Sequence, residues 1–166
     1  MTIDEKARLE IILYIAKQLE RADFHRVFIL CYFADKLHLT KYARPILDDT
    51  YKKRQYGPVP VMINEALDHG DYKDSLKVEC GKKINTKNIR YIVALRDPNS
   101  DYISESEIEC LDEVINIHGK KSFQQLTDLS HDSAWESSEL FKEIDIFSVI
   151  ETLDNADDIK NYLQYE

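Results

Sequence analysis

Apolar residues recur every three to four positions through residues 4–21, where Leu9, Ile12, Ile15, Ala16 and Leu19 form one stripe. Glu5, Arg8, Lys17 and Arg21 take the opposite face, which predicts an amphipathic helix. Asp23 is placed to cap a second helix from Phe24 to about His38, with Val27, Leu30, Cys31, Ala34 and Leu37 turned inward. Phe28, Ile29, Tyr32 and Phe33 make this second helix apolar nearly all round, the mark of an element covered on several sides.

The pattern then becomes irregular. Arg44-Pro45 draws Arg44 out of helical geometry, and Ile46 to Tyr56 carries residues that suit a strand. Tyr56-Gly57-Pro58-Val59-Pro60 punctuates the chain. Pro60 fits the first turn of a helix over Val61 to Asp68, and Gly70 fits its stop. Leu76, Val78 and Cys80 alternate with Lys77 and Glu79, and Ile89, Tyr91, Val93 and Leu95 alternate with Arg90, Ile92 and Ala94. That predicts a β-hairpin with a long loop holding Gly81 and Asn85, and a second strand apolar enough on both faces to need a cover. Ser104 with Glu107 has the spacing of a capping box before Ile108, Leu111, Val114 and Ile115, in a helix ending at Gly119. Ser122 with Gln125 repeats the box before Phe123, Leu126 and Leu129. Two short helices close the chain, at about 145–153 and 156–164. The expected class is mainly α (α+β): a helical domain with one small antiparallel β-hairpin or a three-stranded sheet. No repeat or boundary interrupts it, so a single domain over 1–166 is expected, ending in an acidic helical segment, 136–166.

Composition narrows the function. A chain of 166 residues falls in the usual ~100–200 residue range of one domain. The net charge is −9, and residues 136–166, with nine acidic and two basic side chains, hold −7 of it. The remaining −2 leaves room for a local basic patch, but the overall sign opposes nonspecific binding to phosphate backbones. No apolar run is long enough to cross a bilayer, and Met1-Thr2-Ile3-Asp4-Glu5-Lys6 has no signal-peptide pattern, so a cytoplasmic protein is expected.

Candidate chemistry is sparse. Cys31, Cys80 and Cys110 lack CxxC spacing and read as reduced core thiols. His25, His38, His69, His118 and His131 include no i, i+4 pair, so no metal site is expected. His118 precedes a helix-stopping glycine, where a cation would meet the negative helix end. His131-Asp132-Ser133 reads as a capped turn rather than a triad, whose logic is geometric and not sequential. Lys52-Lys53-Arg54, with Lys41 and Arg44 nearby and Tyr42, Tyr51 and Tyr56 interleaved, forms the one basic cluster. It is either a patch for an acidic partner or a solvated face whose stems cover tyrosines.

Three separated motifs carry a resemblance. They are Leu30-Cys31-Tyr32-Phe33-Ala34-Asp35-Lys36-Leu37-His38-Leu39 followed by Tyr42-Ala43-Arg44-Pro45, then Tyr56-Gly57-Pro58-Val59, then Leu129-Ser130-His131 with Trp135. In order and spacing this resembles the SocA-like antitoxin family, or Panacea domain, of phage-associated proteins, over about residues 8–140. Cys31 stands where that family usually has a larger aliphatic residue. Ala43 stands where it usually has glycine, which predicts a turn without a positive φ.

The resemblance implies a protein-binding antitoxin that neutralises a co-encoded toxin, without enzymatic activity or cofactor. A AAA+ protease enters as a second partner if the protein acts as a proteolytic adaptor, and a homodimer stays open. The rival readings are a DNA-binding autorepressor of its own operon, opposed by the charge, and a hydrolase using His131, which lacks a nucleophile motif. Tyr32, Phe33, Ala34, Asp35, His38, Tyr42, Arg44, Pro45, Gly57, Pro58, Val59 and Trp135 are expected to build the scaffold. Lys53, Arg54, Tyr56 and His131 are the exposed candidates for partner contact.

Overall fold

In the computed structural model, which describes residues 1–84 and 87–164, the helix that is apolar on nearly every side runs through the middle. This is α2, Phe24–Tyr42, and it follows α1, Ile3–Gln18. A β-ribbon comes next, β1 (Tyr51–Arg54) paired with β2 (Gly57–Pro60), and leads into α3 (Val61–His69). A second ribbon pairs β3 (Leu76–Ile84) with β4 (Lys87–Ala94). The remaining helices are α4 (Glu105–His118), α5 (Phe123–Ser130), α6 (Ser133–Ser137), α7 (Ile146–Glu151) and α8 (Ala156–Gln164). The protein is thus mainly helical with two small antiparallel sheets in place of the one expected.

Local chemistry starts the helices where the sequence places them. Thr2 with Glu5, Ser104 with Glu107 and Ser122 with Gln125 each form a complete capping box, satisfying first-turn N–H groups reciprocally. Asp23 caps α2 by accepting from the Arg26 N–H. Against α2 pack α1, α4, α5 and both ribbons. Val27, Leu30 and Cys31 are sealed on one side, in a core with Ile12, Ile15, Ile63 and Leu111. On the other side Tyr32 and Leu39 join Ala134, Val149 and Ile150. Each such aliphatic side chain contributes about 1.5–3 kcal/mol of burial.

Several expectations change. Arg8 is not on a polar face but buried, donating from Nε to the Leu47 carbonyl (3.0 Å) and from Nη2 to that of Asp48 (3.1 Å). It satisfies a loop that has no ladder of its own, which is why Ile46 and Leu47 are buried without forming a strand. α2 runs four residues past His38, and Ala43, its cap, adopts a left-handed conformation (φ 57°, ψ 26°). The absent glycine therefore does not mean an absent positive φ. The Ala43 N–H still closes the last turn of α2 onto the Leu39 carbonyl.

The β3–β4 ladder extends to Ile84 opposite Lys87, with a register irregularity between Cys80 and Lys83, so the loop is shorter than expected. Asn85 lies outside the described residues. Val78 and Cys80 are exposed although they share a face with the buried Leu76 and Ile92, because α1 and α2 cover only part of that face, and Leu95 is exposed beyond the end of β4. Phe123 and Leu129 are also part-exposed, flanking the buried Leu126. Residues 138–145 are not helical. The Phe141 and Ile144 N–H groups donate to the carbonyls of Lys53 and Tyr51, and the Lys53 N–H donates to that of Lys142. The acidic tail therefore covers the free edge of β1 before α7 begins.

Candidate functional site

The first motif builds an anchor. Asp35 is buried on α2, and its carboxylate accepts the N–H groups of Ile46 (2.7 Å) and Leu47 (3.1 Å) and the Tyr51 hydroxyl (2.5 Å). Burial raises its pKa to about 6, while those three donors pull the other way. One turn on, His38 spans two elements. The Arg44 carbonyl can only accept, so Nδ1 donates to it (2.6 Å), and Nε2 accepts from the Ser106 hydroxyl (2.9 Å). Desolvation holds His38 below its ordinary pKa. Asp35 and His38 do not pair with each other. Both pin the segment that carries the chain from α2 to β1.

The second and third motifs meet. Gly57 has φ +138°, and a Cβ there would stand 2.7 Å from Ser130 Oγ and 3.2 Å from Ile29 Cδ1. Only glycine allows that approach. Beside it, His25 Nε2 lies 3.1 Å from the Tyr56 carbonyl and 3.0 Å from Thr127 Oγ1, and its ring stacks on Phe123. Burial lowers the His25 pKa, and its Nδ1 is enclosed with no hydrogen-bond partner among the described residues.

The His131 ring lies flat on Trp135 (3.5 Å between centroids), and Lys53 Nζ sits 4.0 Å from the centre of the indole. Lys53 also donates to the Ser138 carbonyl, and the Trp135 indole N–H donates to that of Arg54. Asp132 caps α6 through the Trp135 N–H and accepts from the Tyr32 hydroxyl and Lys36 Nζ, both at 2.8 Å. It is bound on every side and does not orient His131. His118, expected as a cation, accepts instead from Lys121 Nζ and is held below its ordinary pKa by desolvation.

Of the four residues expected to be exposed, only Arg54 is. Lys53, Tyr56 and His131 are half-buried, because the stack on Trp135 and the turn at Gly57 enclose them. The basic cluster is also dispersed. Lys41 pairs with Glu109 and Glu113, and Arg44 pairs with Glu107, all on α4. Arg54 instead lies over the Phe141 ring, 5.2 Å from its centre.

What these elements enclose is a groove of about 260 Å³ between the start of α2, the β1–β2 turn and β4. Phe24, Phe28, Tyr56 and Phe141 give it aromatic walls, and Arg54 and Arg90 give it two cations. The spacing of the second motif points to Arg54 and Tyr56. His25, Arg90 and Phe141 have no such signal, since each arrives from a different part of the chain. Among the described residues no group of three or more His, Cys, Asp or Glu could hold a metal ion, and no helix is long and apolar enough to cross a membrane.

Residues 30–136 match the model of the family described as antitoxin SocA-like, Panacea domain. That span contains all three motifs. No curated protein matches the chain.

Proposed function

The chain belongs to the SocA-like antitoxin family of Panacea domains, and on that premise we propose that it binds and neutralises a toxin encoded beside it. The observation that carries this reading is the family match across the part of the chain where the three motifs interlock. The geometry supports a binding role. Asp35, His38 and Gly57 are spent on holding the β1–β2 turn in place, and the turn presents Arg54 and Tyr56 on a rigid mount. A rigid mount lowers the entropy lost on association. In this reading Arg54 and Tyr56 contact the toxin, while Lys53 and His131 act through their stack on Trp135. Delivery of the captured toxin to a AAA+ protease would be a later step using the same contact. Repression of its own operon through DNA is the weaker reading, because a net charge of −9 repels the backbone it would have to hold.

The test is co-expression with the product of the adjacent gene. Growth arrest by that product alone, relief when this chain is present, and co-purification of the two would support the proposal. A non-toxic neighbour, or failed rescue with folded protein in excess, would remove it.

A further inference from the structure

On a chain of net charge −9, the groove between α2, the β1–β2 turn and β4 has two arginines and no carboxylate in its lining. Arg90 is already paired, with Asp68, and lies over the Phe24 ring. Arg54 is exposed and forms no ion pair among the described residues. Its guanidinium is therefore available to a carboxylate from outside the chain, in a groove that has none of its own.

Phe141 adds an independent sign. It is 59% exposed, and its backbone is left-handed (φ 66°), a conformation that costs a bulky residue about 1–2 kcal/mol. Two backbone hydrogen bonds with Lys53 hold it there, donating from the Phe141 N–H and accepting at the Lys142 carbonyl. The pairing fixes the backbone but does not call for an aromatic side chain. Glycine or asparagine would fit the conformation better. The ring instead forms the lip of the groove and stacks under Arg54. The strained backbone thus places an exposed aromatic ring beside a cation that has no carboxylate partner in the groove.

We propose that this groove is the toxin-docking site, and that its occupant is an acidic protein segment: an apolar or aromatic side chain seated among Phe24, Phe28 and Tyr56, next to a carboxylate that pairs with Arg54 against Phe141. A polypeptide fits better than a nucleic acid. The site offers one free cation rather than the track of cations that a phosphate backbone requires, and the chain as a whole carries −9. The proposal rests on the antitoxin reading for the identity of its partner, but the chemistry can be tested without it.

The full chain is used to select short random peptides displayed on phage. Enriched peptides are synthesised and titrated against wild type, Arg54→Glu, Arg54→Ala and Phe141→Gly, with thermal unfolding of each variant measured alongside. The expected peptides pair Asp or Glu with Leu, Phe, Tyr or Trp. Their affinity should fall about tenfold or more in each variant, and in wild type should weaken with salt. Phe141→Gly relieves the left-handed strain, so its thermal midpoint should not drop. A lower midpoint with unchanged peptide affinity would make Phe141 a scaffold residue and overturn the proposal. So would an absence of enrichment, enriched peptides without carboxylates, or displacement of the peptides by oligodeoxythymidine. The two readings fail separately. Toxin rescue that survives both Arg54→Glu and Phe141→Gly removes the groove and leaves the antitoxin, whereas groove-dependent peptide binding without rescue does the reverse.

Discussion

Gly57 and Ser130 touch so closely that no side chain fits between them: a Cβ on Gly57 would lie 2.7 Å from Ser130 Oγ. This contact joins the turn after β1 to the end of α5. Gly57→Ala should therefore cost about 2 kcal/mol or more, from the positive φ and the clash together. Gly70 is the natural control. Its φ is also positive (73°), but nothing lies within 4 Å of its added Cβ, so Gly70→Ala should cost only about 1 kcal/mol. Urea unfolding of the two variants measures the difference, and equal losses would mean that the Gly57–Ser130 contact contributes nothing.

Ala43 gives a prediction of opposite sign. It pays for a left-handed cap that glycine adopts freely. Ala43→Gly should stabilise the protein by about 0.5–1 kcal/mol, the relieved strain less the extra freedom of the unfolded chain. A destabilised variant in the same urea assay would show that the alanine methyl packs better than its φ suggests.

The contrast between Lys53 and Arg54 separates scaffold from surface. Lys53 loses its place over Trp135 and its bond to the Ser138 carbonyl on reversal, so Lys53→Glu should lower stability by about 1 kcal/mol. Arg54→Glu should stay within about 0.5 kcal/mol of wild type, as exposed substitutions do. Thermal unfolding of the two single variants, side by side, decides between this division and a uniformly solvated pair.

Acid should destabilise the protein in a way that Asp35 partly offsets. His25, His38, His118 and His131 are all held below the ordinary histidine pKa of 6.5 by desolvation. Below pH 6.5 the unfolded chain therefore takes up protons that the folded chain refuses, and stability falls as pH drops. Asp35 has the opposite sign. Its pKa rises from 3.8 to about 6, so between those values the folded state keeps a proton that the unfolded state has lost, and stability from this group grows on acidification. Urea midpoints at stepped pH from 7.5 to 5 should decline in wild type and decline more steeply in Asp35→Asn. Parallel curves would contradict the raised Asp35 pKa.

The helices were legible because their starting signals are local. Asp23, Ser104 and Ser122 each act on a backbone group three residues away, and the apolar stripes behind them need no knowledge of the fold. What could not be read depends on distant partners. Arg8 looks solvent-facing until the carbonyls of Leu47 and Asp48 are brought to it. Residues 138–145 look like part of an acidic helix until they meet the edge of β1. The groove shares this division. Arg54 and Tyr56 stand in a recognisable motif, but Phe141, in the segment expected to be an acidic helix, reaches the groove only through that strand pairing.

The central claim is that a partner protein sits on the groove bounded by Arg54 and Phe141. Amide hydrogen exchange of the full chain, alone and bound to its neighbouring gene product, tests it directly. The account predicts slowed exchange in Arg54–Val59 and in the segment around Phe141, with α4 unchanged. Protection centred on α4 or α8, with exchange at Arg54 and Phe141 unaltered, would contradict it.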